Sequence, residues 1–205
     1  MTRAGDRAAR GRGRQTSAEI ERDLLDITAG LIARRGIKDT AVQAVADQAG
    51  YSKAAVLARF ASKDALVAAA VRRCIEQTEA IRDAVTGVAA GPGRDAAALA
   101  AVTDLALERP GWAEFALAGL ALRRGDDLSE RLEPMGAALL GMFDIDIEDA
   151  AAVTLDRRAR VTGAFGAVIV LSLTYETEAS PEQARPVLLD VGWSTLGHGG
   201  APPAR

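Results

Sequence analysis

The stretch "QAVADQAGYSKAAVLARF", Gln43 to Phe60, sets two short helix-like runs either side of a single glycine and a serine. Neither run is long enough to be stable alone, because a helix shorter than about 12 residues depends on tertiary packing. The flanking sequence must therefore supply a platform. Apolar residues elsewhere recur at three and four, without the alternation of strands, so the expected fold is all-α. Thr16 with Glu19 forms a capping box for a first helix over 17–35, striped by Leu24, Ile27, Leu31 and Ile32 and ended by Gly36. Thr40 with Gln43 repeats that signal for a short second helix before Gly50, Ser52 caps a third to Phe60, and Ser62 caps a fourth reaching the mid-80s. Val42, Val45, Ala46, Val56 and Phe60 are expected to bury against Leu24, Ile27, Leu31 and Leu66. That packing turns Gln43, Lys53, Ala54, Ala55 and Arg59 outward.

Beyond a Gly-rich linker at 86–95, the chain reads as one larger helical unit of further helices: 95–108, 112–124, 127–143 with Pro134 as a kink, one from Asp146 to 175 or 176, and a last one capped by Ser180, Pro181 and Gln183 and stopped by Gly197. About nine helices are expected in all, divided as an arm at 1–16, a unit at 17–62, a larger one at 63–197 and a tail at 198–205.

Charge is unevenly shared. Residues 1–60 hold 11 Lys/Arg against 7 Asp/Glu, whereas residues 61–205 hold 14 against 21. Arg3, Arg7, Arg10, Arg12 and Arg14 face one acid, Asp6, in the first 14 residues, the footprint of an arm that meets a polyanion. One cysteine excludes an internal disulfide, and one histidine, His198, leaves a His-based catalytic centre or structural zinc site without ligands. No catalytic residues, metal site or cofactor are expected, and the scattered acids offer no enzymatic constellation. The N-terminus lacks the apolar core of a secretory signal, and the longest apolar run, Val161 to Tyr175, falls short of the roughly 20 residues of a membrane span. A cytoplasmic protein with no membrane partner is expected. Two short helices joined by a glycine turn and held by longer ones form a helix-turn-helix, whose second helix enters the DNA major groove. A helical adaptor holding nucleic acid or acidic partners without sequence preference is the alternative. Sequence selectivity separates the two.

Gly36 to Thr40, Ala46 to Gly50, Ser52 with Lys53, Phe60, and Ser62-Lys63-Asp64 with Leu66 follow one another in an order that resembles the N-terminal domain of the TetR family of transcription regulators. The resemblance covers roughly residues 17–70. It implies a DNA-binding domain of three helices, and a C-terminal domain that binds a small-molecule effector and forms a homodimer through its last two helices. It further implies binding to a palindromic operator of double-stranded DNA, most commonly for repression, with release by the effector. By the same resemblance Thr40 and Lys63 contact phosphates at helix N-termini, Gln43, Lys53 and Arg59 reach bases or phosphates, and Ala55 packs on a thymine methyl. Ser52 and Ala54 complete that face. Two positions depart from the family: Leu57 replaces the usual aromatic phosphate ligand, and Val42 a common Ser or Thr. Arg59, or the arm through Arg10, Arg12 and Arg14, is the expected compensation.

In the larger unit, Gly163, Ala167, Val170 and Thr174 form a small-residue face at helical spacing. With Val187, Leu188 and Val191 of the last helix, they are the expected dimer interface. Trp112, Phe115, Met135, Leu139, Met142 and Phe165 are the bulky residues expected either to line a pocket for an apolar or aromatic effector or to form plain core. Cys74 is read as a small buried hydrophobe, and effector control is expected to pass through the helix that begins at Ser62.

Overall fold

Local capping chemistry sets most of the helix boundaries. The computed structural model describes residues 15–121 and 127–200. Thr16 opens α1 (Ser17–Asp39) with the expected capping box: its hydroxyl accepts from the Glu19 N–H at 3.2 Å while the Glu19 carboxylate accepts from the Thr16 N–H at 2.7 Å. Bonds from the Thr16 N–H and from its hydroxyl to the ionised Glu19 carboxylate hold its pKa below the usual range. Regular helix ends at Gly36, whose φ of 78° is open to glycine, and a tight turn carries the chain on to Asp39. Next come α2 (Val42–Ala49) and α3 (Lys53–Phe60), divided by Gly50 in the left-handed region, with its N–H returned to the Ala46 carbonyl. Ser52 caps α3 by accepting from the Ala55 N–H at 3.1 Å, and Ser62 caps α4 (Lys63–Thr86) by accepting from the Ala65 N–H at 3.0 Å.

The remaining helices are α5 (Pro92–Glu108), α6 (Pro110–Ala121), α7 (Asp127–Gly141), α8 (Leu155–Thr174) and α9 (Pro181–Thr195). Five boundaries differ from the sequence expectation. The Thr40–Gln43 capping signal does not operate. Thr40 is buried and its hydroxyl donates to the Gly36 carbonyl at 2.8 Å, so α2 starts after Ala41 with no side-chain cap, and Gln43 instead donates to Asp47. Helices α5 and α6 begin at prolines rather than at Asp95 and Trp112, because a proline at the first helical position has no N–H to leave unpaired. Pro134 lies inside α7, which stops at Gly141 rather than Phe143. Helix α8 begins after Thr154, which accepts from the Arg157 N–H. Asp146 instead accepts from the Glu148 N–H within a loop that ends in a short 3₁₀ turn at Ala150–Ala152. Residues 122–126, which hold all of the turn "RRGDD" (123–127) but its last residue, lie outside the described residues.

Two apolar cores result. Leu24, Leu25, Leu31, Val42, Val45, Ala46, Val56, Phe60, Leu66 and Ala70 form the first, with Ile27 and Leu57 packed at its edge. The second, larger core draws on every long helix. Ala29 and Ile32 of α1, with Val67, Val71 and Cys74 of α4, belong to it. Helices α1 and α4 thus serve both cores, whereas α2 and α3 serve only the first. Burial pushes the Cys74 thiol's pKa up, in keeping with a packing role.

At the far end, α8 and α9 pack on one another and across α5. Asp95, buried in the first turn of α5, accepts two bonds from the Arg157 guanidinium at 2.6 and 2.8 Å and lies 2.8 Å from His198 Nε2, whose ring stacks on Trp193. His198 is therefore docked rather than part of a loose tail. Among the described residues, no helix is long and apolar enough to cross a membrane.

Candidate nucleic-acid interface and effector cavity

Helix α3 has two unlike sides. Val56 and Phe60 are buried in the first core. Ser52, Lys53, Ala54, Ala58 and Arg59 are exposed and Ala55 is half-buried, so the i, i+4 spacing of the buried pair leaves a cationic outer stripe. Gln43 of α2 is exposed beside it. The expected DNA-facing residues of α3 therefore share one surface.

Several of these groups already have intramolecular partners. Arg59 Nη1 donates to Ser17 Oγ at 2.8 Å, fastening the end of α3 to the start of α1. A guanidinium has five N–H donors, so this bond leaves others for a phosphate. Lys63 Nζ donates to the Lys38 carbonyl at 2.7 Å, near the end of α1. Thr40 commits its hydroxyl hydrogen to Gly36, so in this conformation its side chain has no donor to offer a phosphate. Leu57 lies half-buried against the first core and fills packing space instead of reaching outward. Tyr51, which sequence reasoning did not single out, lies 3.4 Å from Gln15 through its hydroxyl. With the Arg59–Ser17 bond, that contact holds the start of the described chain against α3. Arg10, Arg12 and Arg14 lie outside the described residues.

A cavity of about 660 Å³ opens between α6 and α7 and is closed on one side by the loop before α8. Phe115, Met135 and Leu139, three of the six residues weighed as a pocket lining, line it. Trp112, Met142 and Phe165 do not: they are buried in the second core and supply packing only. Trp112 Nε1 is satisfied by Thr78 Oγ1 at 3.0 Å, and Phe165 meets Phe143 edge to face at 5.0 Å. Leu120, Leu132, Ile147, Gly119 and Gly136 complete the apolar wall, with Glu130, Glu133 and Glu148 among the lining. The lining residues not singled out from sequence carried a faint signal: 116, 119 and 120 recur at helical spacing with Phe115 on α6, and 129, 132, 133 and 136 with Met135 and Leu139 on α7.

Part of the residue set expected at a dimer interface, on α8 and α9, lies at the surface. Val170 and Val187 are exposed at 43% and 59%, Thr174 is exposed, and Ala167 and Val191 are half-buried. Leu188, at 2%, is a core residue of its own chain and leaves the set. Gly163 is exposed, but a Cβ there would sit 3.3 Å from the Thr195 methyl, so it also permits the close approach of α9 to α8.

Residues 24–70 match the family described as "Bacterial regulatory proteins, tetR family". Residues 24–70 carry the N-terminal domain of the TetR family. The match runs from Leu24 in α1 through α2 and α3 to Ala70 in α4, the helices that form the first core. No match was found among curated proteins. Among solved structures, Mycobacterium smegmatis AmtR is 20% identical with a TM-score of 0.54, covering 92% of this chain and 90% of its own. The regulator FadR from Bacillus subtilis, solved in complex with stearoyl-CoA, is 16% identical with a TM-score of 0.53, covering 86% and 95%. KstR2 of Mycobacterium tuberculosis, described as a ketosteroid transcriptional regulator, is 18% identical with a TM-score of 0.53, covering 89% and 95%. At these identities the likeness shows a shared all-α fold.

Proposed function

We propose that this chain is a regulator of the TetR type, a homodimer that represses transcription by binding a palindromic operator, and that a small apolar or aromatic effector releases it. The observation that carries the reading is the two-sided α3: Val56 and Phe60 lock it to the platform while Lys53, Ala54, Ala55 and Arg59 face outward. Lys53 and Arg59 supply the cationic contacts. Ala54 and Ala55 let the backbone approach the bases, with Ala55 against a thymine methyl. Ser52, Gln43 and Lys63 frame this surface, and Arg10, Arg12 and Arg14 of the arm add phosphate or minor-groove contacts that Leu57 does not provide. Residues 17–62 act as the DNA-binding unit and 63–197 as the effector-binding and dimerisation unit.

Dimerisation proceeds through Gly163, Ala167, Val170 and Thr174 of α8 with Val187 and Val191 of α9. Exposed valines on two adjacent helices favour burial against a second copy. The effector occupies the cavity between α6 and α7, whose volume lies within the roughly 300–1,000 Å³ of ordinary ligand sites and whose Phe115, Met135 and Leu139 favour an apolar body. Selection of bound duplexes from a random pool tests the reading. A two-fold symmetric consensus is expected; enrichment of no sequence would leave a non-specific nucleic-acid adaptor in its place.

A further inference from the structure

Helix α6 touches both ends of the regulatory problem. Its first turn is clamped to α1: the Asp26 carboxylate accepts from the Gly111 N–H at 3.1 Å and the Trp112 N–H at 2.9 Å, giving α6 its N-terminal cap from another helix. The backbones are so close that a Cβ on Gly111 would lie 1.9 Å from the Asp26 carbonyl oxygen. Arg34 of α1 pairs with Glu114 of α6, and Asp23 lies 3.5 Å from the Arg109 guanidinium just before it. One turn further along, Phe115, Ala116, Gly119 and Leu120 of the same helix line the cavity. None of the cavity-lining residues comes from α4, where the sequence placed effector control. Helix α1 carries Leu24, Leu25 and Leu31 into the first core, so a shift of its α6-facing side is felt by the packing under α3.

We propose that Asp26 is a positioning residue through which occupancy of the cavity is transmitted from α6 to α1 and thence to the orientation of α3. The proposal rests on the effector-responsive reading above and goes beyond it by assigning the coupling to one side chain. Packed helices move as bodies between discrete arrangements. A helix held at one end by two charge-assisted bonds and zero side-chain clearance takes its partner with it. Without the carboxylate, α6 can shift while α1 stays in place.

The test replaces the unidentified effector with a side chain. Gly119→Trp fills the cavity from α6 itself and presses on Leu132, whose Cδ1 would be 3.3 Å from a Cβ at that position; Gly119→Leu is a smaller filler should the indole not fold. Affinity for the selected duplex is measured for the parent, Gly119→Trp, Asp26→Ala and the double variant, with Asp26→Asn as the conservative control. Cavity filling should change duplex affinity tenfold or more in the parent and less than twofold when Asp26 is Ala, with Asn intermediate. Hydrogen exchange over residues 20–31 in the same proteins needs no DNA and should show the same dependence. An equal effect of cavity filling with and without the carboxylate would overturn the proposal, and so would a filled cavity that leaves both affinity and α1 exchange unchanged. Failure of the parent to bind any duplex would sink the functional reading alone, and the exchange measurement would still decide the coupling.

Discussion

Phe60→Ala should unfold α2 and α3 without unfolding the rest of the protein. Phe60 is the largest side chain among the ten buried residues of the first core, and truncating a buried Phe costs about 3–5 kcal/mol. A unit of about fifty residues holds roughly 3–7 kcal/mol at ordinary stability per residue, so the loss removes most of what holds this core together. The damage is local because α1 and α4 remain anchored in the second core through Ala29, Ile32, Val67, Val71 and Cys74, whereas α2 and α3 have no such anchor. Hydrogen exchange with mass spectrometry is the assay. Amides of 42–60 should lose protection by a factor of a hundred or more, those of α8 and α9 should be unaffected, and duplex binding should disappear. Uniform loss of protection along the chain would refute the reasoning, because it would mean that the two cores unfold as one.

Lys53→Ala should weaken duplex binding and reduce the slope of log affinity against log salt by about one, as read by fluorescence anisotropy across a salt series. Ser52→Ala removes the acceptor for the Ala55 N–H and should lower stability by about 1 kcal/mol in a denaturant titration, with a matching loss of α3 protection. Gly111→Ala puts a methyl into the Asp26 backbone, and since neither backbone can yield cheaply it should cost about 3 kcal/mol or more by thermal unfolding. Val187→Glu places a charge on the exposed face of α9 and should shift the protein to monomers in sedimentation velocity while leaving its helix content intact.

The elements readable from sequence were those fixed by neighbours within a few residues. Thr16 with Glu19, Ser52, Ser62 and Gln183 act on backbone groups three positions away, and the apolar stripes of α1, α2 and α3 meet as their spacing implies. Tertiary contacts decided the rest. Thr40 looks like a cap, but burial turns its hydroxyl to Gly36. The Ala-rich run before Thr154 looks helical, yet Asp144, at a φ of 61°, already sits in a turn and regular helix waits for the Thr154 cap. Val187 and Leu188 are both apolar and adjacent; only the seating of α9 on α5 and α8 exposes one and buries the other. Trp112, Met142 and Phe165 could not be told from Phe115, Met135 and Leu139, since a cavity wall and a core use the same residue types. Asp26 gave no warning, because an acid on an amphipathic helix is ordinarily a solvated one. Here burial outweighs the two N–H bonds and raises its pKa.

Everything functional depends on α3 lying in a major groove, in two copies related by a dyad. Methylation of guanine N7 before binding, on a selected duplex containing guanines in each half-site, tests this directly, since N7 is reached only from the major groove. Interference should map to two major-groove segments placed symmetrically, about one helical turn or more apart. Binding indifferent to N7 methylation, or interference confined to a single segment, would contradict it.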